Sequence, residues 1–131
     1  MKSFPTVDVL MTLTYGFPQS TWDAAKDEAR EQLAAIAKKG ARPLGYGELA
    51  AKIRSIPFDA DNDAFHKMLG QISVEEDAAG RGMLSVLVVH KGGDMRPGNG
   101  FFELAQQLGR DAKDRDAFWA SEMRAVQDAW R

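Results

Sequence analysis

The run Met83–His90 (MLSVLVVH) constrains this chain more than any other stretch. Val86 to Val89 are all Leu or Val. An apolar run of this length, rich in β-branched residues, predicts a strand covered on both faces. Gly80, Gly82, Gly92 and Gly93 bracket it at strand length, which favours strand over helix. The loop GGDMRPGNG follows, with four glycines and a proline in nine residues. Such a loop tolerates positive φ at several places and lets another backbone or a ligand approach closely. Phe101, Phe102, Leu104, Ala105 and Leu108 then repeat at helical spacing, with Asn99 as the expected N-cap, Gly100 in the first turn and Gly109 as the stop.

The rest of the chain reads as helices around that run. Val7–Leu13 is a candidate strand in an N-terminal arm over residues 1–19, which two prolines and Gly16 interrupt. Ser20 is placed to cap a first helix that extends to about Lys39. Its apolar stripe is Trp22, Ala25, Ala29, Leu33 and Ile36, and Gly40 ends it. Tyr46–Ile53 predicts a second helix, closed by Ile56-Pro57. Phe65, Met68, Leu69 and Ile72 place a third over about Asp61–Ile72, with His66 and Lys67 facing outward. Ser73-Val74-Glu75-Glu76 has the form of a capping box and predicts a separate short helix to about Ala79. Trp119, Met123, Val126 and Trp130 give one apolar face to a last helix over about Arg115–Trp130.

Composition excludes several function classes. The chain of 131 residues suits one domain, and its net charge of −2 carries no global signal for nucleic acid. Without cysteine there is no disulfide scaffold, no thiol nucleophile and no cysteine-ligated metal. This usage fits a cytoplasmic location. No apolar run approaches the roughly 20 residues of a membrane span, and the first residues make a poor secretory leader.

The order of helix, small helix, second helix, then strand and glycine loop is that of a winged helix. LGYGELAAKI, FHKMLGQI and LSVLVVHKGGDMRPG together resemble the C-terminal domain of alkylguanine-DNA alkyltransferases and alkyltransferase-like proteins. The resemblance spans roughly Leu44 to Phe101, less than half the chain. In that family a TYG-type start opens a helix, a second helix enters the DNA minor groove, and a PCHRVV-type segment follows. LVVHK occupies the equivalent place here. The acceptor cysteine is missing, so alkyl transfer is excluded, and His66 and Lys67 stand where the DNA-facing helix of the family carries an arginine. The ending is also similar to that of small bacterial proteins and of modules attached to nucleases. The resemblance implies a mostly α, winged-helix-like domain over 20–131, with about five or six helices and a small β-sheet or hairpin. It also implies a non-catalytic recognition role.

The expected working surface is double-stranded DNA binding by His66, Lys67, Arg81, Lys91 and Arg96. The loop glycines Gly92, Gly93, Gly98 and Gly100, with Asn99, form a candidate phosphate loop ahead of a helix N-terminus. Its spacing is neither a Walker pattern nor GxGxxG, and the plainer reading is a wing or a packing turn. Lys38, Lys39, Arg42, Lys52 and Arg54 could join Arg81, Lys91 and Arg96 on one positive face, or be solvated helix ends. His66 and His90 lack paired-ligand spacing, so no metal or other cofactor is expected. Ser85, His90 and Asp94 lack a nucleophile elbow, so no enzyme is expected either. Trp22 and Trp119 read as core, and Trp130 as core or as a partner anchor. The acidic residues Asp59, Asp61, Asp63, Glu75, Glu76 and Asp77 support the alternative, a protein-binding module of the immunity or inhibitor kind.

Overall fold

The computed structural model describes residues 13–40 and 42–131. Its elements are β1 (Leu13–Thr14), β2 (Phe17–Pro18), α1 (Gln19–Lys39), β3 (Leu44–Gly45) and α2 (Tyr46–Lys52). They continue with α3 (Asp63–Ala78), a 3₁₀ turn (Leu84–Leu87), β4 (Val88–Val89), α4 (Asn99–Gln107) and α5 (Arg115–Ala129). The fold is mostly helical with two very small sheets, as the sequence pattern predicts. Of the expected strand Val7–Leu13, all but Leu13 lies outside the described residues. Residues 13–18 form a β1–β2 hairpin, with Tyr15 and Gly16 at φ 50° and 87°. Two successive positive φ values give the turn the twist that suits a two-residue hairpin.

The apolar run is the hub of the core, but it is not the expected strand. Leu84–Leu87 winds into a 3₁₀ turn, and only Val88 and Val89 are extended. Leu84, Val86, Leu87, Val88 and Val89 are all 0% exposed. Burying five such side chains contributes on the order of 10 kcal/mol, an upper estimate. Each additional ladder hydrogen bond would add only about 1 kcal/mol, so burial decides where the run lies and backbone pairing adapts to it. The run packs against α1, α3 and α5. Ahead of β4, several groups in and against the run find side-chain partners in place of a ladder. Met83 N–H donates to Glu122 Oε2 at 2.7 Å, Ser85 N–H to Ser73 Oγ at 3.0 Å, and Trp119 Nε1 to the Val86 carbonyl at 3.2 Å.

The same contacts account for two other departures. Ser73 does not cap a new helix, because its hydroxyl turns inward to Ser85 Oγ at 2.5 Å. With no breaker at that point, α3 continues through Ser73 to Ala78. On α5 the buried line is Phe118, Glu122 and Val126, while Trp119, Met123 and Trp130 are partly buried at its edge. The expected face is therefore rotated by about one residue, because a buried carboxylate occupies its centre.

Helix ends follow local chemistry. Gly40 closes α1 at φ 62°. Asn62 and Asp114 cap α3 and α5 through their side chains. Pro18, not Ser20, occupies the N-cap of α1, and Gly98, not Asn99, that of α4. β4 pairs in parallel with β3, Leu44 with Val88 and Gly45 with Val89. A parallel pair needs a long crossover, here α2, α3 and the 3₁₀ turn. Among the described residues no further strand follows β4 to make a two-stranded wing; the glycine segment closes on itself instead.

Candidate nucleic-acid interface

The segment after β4 is a tight loop anchored at several points. His90 N–H donates to the Arg96 carbonyl at 2.9 Å, and the His90 carbonyl accepts from Gly93 and Met95 N–H, each at 3.1 Å. Asp94 Oδ1 accepts from Arg96 N–H at 3.1 Å. Gly98 N–H donates to the Tyr46 hydroxyl at 2.8 Å, which ties the loop to the start of α2. A Cβ on Gly98 would lie 3.1 Å from His90 Nε2 and 3.5 Å from that hydroxyl, so any larger residue would push the His90 ring aside.

Tyr46 is a site residue that sequence reasoning does not find. Its ring lies between the imidazoles of His66 and His90, with centroids 4.8 and 4.7 Å away. Burial raises its pKa above the usual tyrosine value, the Gly98 amide opposes that, and Asp94 adds to it. The only signal in the sequence is an aromatic residue at the first position of a helix that follows glycine.

Two recesses flank this stack. A groove of about 340 Å³ opens between α3 and α4, lined by Tyr46, His66, Lys67, Ser85, Phe101 and Leu104 among others. A second recess, of about 260 Å³, lies at the start of α4 and is bounded by His90, Asp94, Arg96, Gly98, Asn99 and Arg115. The first turn of α4 has no side-chain cap. The N–H groups of Asn99 and Gly100 have no hydrogen-bond partner among the described residues. The Asn99 side chain serves Arg115 instead, accepting from its guanidinium at 2.7 Å, while that guanidinium also covers the Phe102 ring.

The structure brings together some of the expected site residues and separates others. Arg96 and the loop residues Gly98, Asn99 and Gly100 meet at the start of α4, where Arg96 is held by Asp116 at 3.0 Å. Lys91 pairs with Glu48 at 2.6 Å, and this bond, with that from Gly45 N–H, lowers the Glu48 pKa. Gly92 takes φ 85°, and Gly93 serves the His90 turn. Lys67 is exposed on the groove rim. His66 does not point outward: Nε2 lies 2.7 Å from the Ala60 carbonyl and its ring is half-buried against Tyr46. Arg81 is remote from these. It follows the last turn of α3, about 18 Å along the axis from His66 at 1.5 Å per residue. There it pairs with Glu76 at 2.6 Å and covers Trp130. Lys38 approaches the same Trp130 ring, so Trp130 joins two cations at that end of the molecule.

The acidic residues also divide. Glu75 pairs with Lys26 and Arg30, Glu76 with Arg30 and Arg81, and Asp77 with Arg110. Those three carboxylates therefore join α3 to its neighbours. Asp59, Asp61 and Asp63 are exposed and have no basic partner among the described residues. No cluster of three His, Asp or Glu able to hold a metal ion occurs among the described residues. Ser85 Oγ is committed to Ser73 at the base of the groove. No described helix is long and apolar enough to cross a membrane.

No protein-family model, curated protein or solved structure shows significant similarity to the chain.

Proposed function

We propose that this protein is a non-enzymatic DNA-binding module whose contact with the phosphate backbone is made at the start of α4. The observation that carries the reading is the uncapped first turn of α4 with Arg96 and Arg115 both lining the same recess. Free helix N–H groups and the helix dipole favour an anion there. Two guanidiniums add the fork geometry that matches phosphate oxygens. Backbone contacts of this kind position a protein on DNA without reading its sequence. Lys67 and Lys91 lie on neighbouring elements and extend the contact. Asp94 and Asp116 reduce the local charge, so the binding this predicts is weak and favoured by low salt.

Fluorescence anisotropy with a mixed-sequence duplex at low and moderate salt tests the reading. Saturable binding should weaken as salt rises. Arg96→Ala with Arg115→Ala should lower the salt slope by about 2, roughly one for each phosphate that the double variant no longer neutralises. Absence of binding at low salt overturns the proposal.

A second reading, a protein-binding module acting through an acidic face, rests on Asp59, Asp61 and Asp63, three exposed carboxylates at the entry to α3. A partner held there would be lost on changing all three to Asn, a change that leaves DNA binding intact under the first reading.

A further inference from the structure

The backbone of Met95 closes the loop through its N–H, but its side chain is not part of the core. The residue is 47% exposed. It also adopts φ 59°, and among the described residues only Tyr15 shares positive φ without being glycine. Tyr15 packs its ring against Trp22 at 5.1 Å, and Met95 is the other exposed residue of this kind. A left-handed conformation disfavours any side chain beyond glycine, asparagine or aspartate. Glycine or asparagine would close the same loop at lower cost, and the loop uses both within a few residues. Strain kept under a half-exposed side chain outside the core points to function.

The surroundings indicate which function. The hydrogen bonds of His90, Asp94 and Arg96 close the loop on both sides of Met95, so its exposed thioether side chain is carried on a fixed support. Arg96 follows it directly and borders the recess at the start of α4. Lys91 stands at the opening of the same loop. An unbranched, pliable apolar side chain beside guanidiniums suits a surface that is anionic outside and apolar inside, which describes the edge of a base stack.

We infer that Met95 is a wedge: it enters between two base pairs of duplex DNA and partly unstacks them while Arg96 and Arg115 hold the adjacent phosphates. The inference rests on the DNA-binding reading. Pyrimidine–purine steps unstack most easily, so a TA step is the expected point of entry.

The test uses the full chain and a duplex with 2-aminopurine in place of the adenine of a central TA step. Wild-type protein should raise the 2-aminopurine fluorescence on binding. Met95→Gly relieves the positive φ and should fold at least as well. It should bind about tenfold more weakly, as expected for loss of one interface anchor, with the salt slope kept and the fluorescence rise lost. Met95→Leu should retain the rise. Wild-type binding with no fluorescence change, or an equal change in Met95→Gly, overturns the wedge and leaves the backbone contact standing. No wild-type binding at low salt overturns both.

Discussion

Replacing Glu122 with alanine should be among the most damaging single changes away from the candidate interface. Glu122 is 2% exposed. One carboxylate oxygen accepts from the buried Met83 N–H at 2.7 Å, and the other is bonded by the Arg110 guanidinium. Alanine leaves the Met83 donor without a partner, a penalty of about 1–3 kcal/mol. The charge-assisted bond to Arg110 also disappears, but Arg110 keeps Asp77 at 2.6 Å and is 31% exposed, so it is not stranded. The total should therefore fall at the lower end of the range for broken buried ion pairs, about 3 kcal/mol. For a domain of this size that lowers Tm by about 10 °C. Glu122→Gln keeps an acceptor for Met83 and should lose only about 1–2 kcal/mol. Urea unfolding followed by tryptophan fluorescence reads the difference, since Trp119 lies on the same helix as Glu122 and Trp130 directly follows it. The reasoning is refuted if Glu122→Ala stays within about 0.5 kcal/mol of wild type, the size of an ordinary surface change.

Other outcomes follow from the same geometry. Gly82→Ala should destabilise by about 3 kcal/mol, because φ is 84° and the new Cβ would lie 2.9 Å from Val126 Cγ2 and 3.1 Å from Glu122 Oε2; thermal unfolding checks it. Tyr46→Phe removes the acceptor for Gly98 N–H and should cost about 1 kcal/mol, with faster hydrogen exchange at Gly98 as the specific sign. Acid should destabilise the fold partly through Glu28, whose pKa is lowered by the Ser55 hydroxyl and by the Ser55 and Arg54 amides. A lowered folded-state pKa contributes stability that is present above the usual carboxylate value of 4.5 and lost as pH falls through the lowered one. Glu28→Gln should therefore flatten the decline in Tm over that window.

Burial is legible in this sequence, and backbone conformation is much less so. The run 84–89 is as buried as its composition predicts, yet most of it is a 3₁₀ turn. Glu122 accepts from Met83 N–H just before it and Ser73 from Ser85 N–H within it, and neither residue advertises itself as a core acceptor. Helical periodicity places α1, α2, α5 and the first part of α3 well, because one face of each is plainly apolar; Ser73, read as a cap, hides the continuation of α3. The face of α5 is displaced by one residue from its expected position for the same reason that Glu122 escapes notice: polarity at a helix centre reads as solvent. At the candidate interface, Arg96 and the loop glycines are visible as a local pattern. Tyr46, Arg115 and the separation of Arg81 depend on packing between distant parts of the chain, which no local spacing encodes.

The loop carrying Arg96 and Met95 is fixed by three unrelated devices. The β3–β4 pair sets where it begins, the Tyr46 hydroxyl holds Gly98 where it ends, and Asp116 holds the Arg96 guanidinium to α5. Each joins a different element, so no single loss frees the whole loop. The Asp116 pair is half-exposed on both sides, 48% and 60%, and such a pair contributes at most about 1 kcal/mol. A phosphate approaching the start of α4 competes with Asp116 for the same guanidinium. Exchanging a surface carboxylate for a phosphate costs little, and two backbone N–H groups are open to the newcomer. The ion pairs that mask the basic residues in the free protein are thus compatible with anion binding. Asp116→Asn should strengthen binding to DNA, because it removes the competitor and one unit of negative charge. If it instead weakens binding while Arg96→Ala has no effect, Arg96 serves the loop and not the ligand.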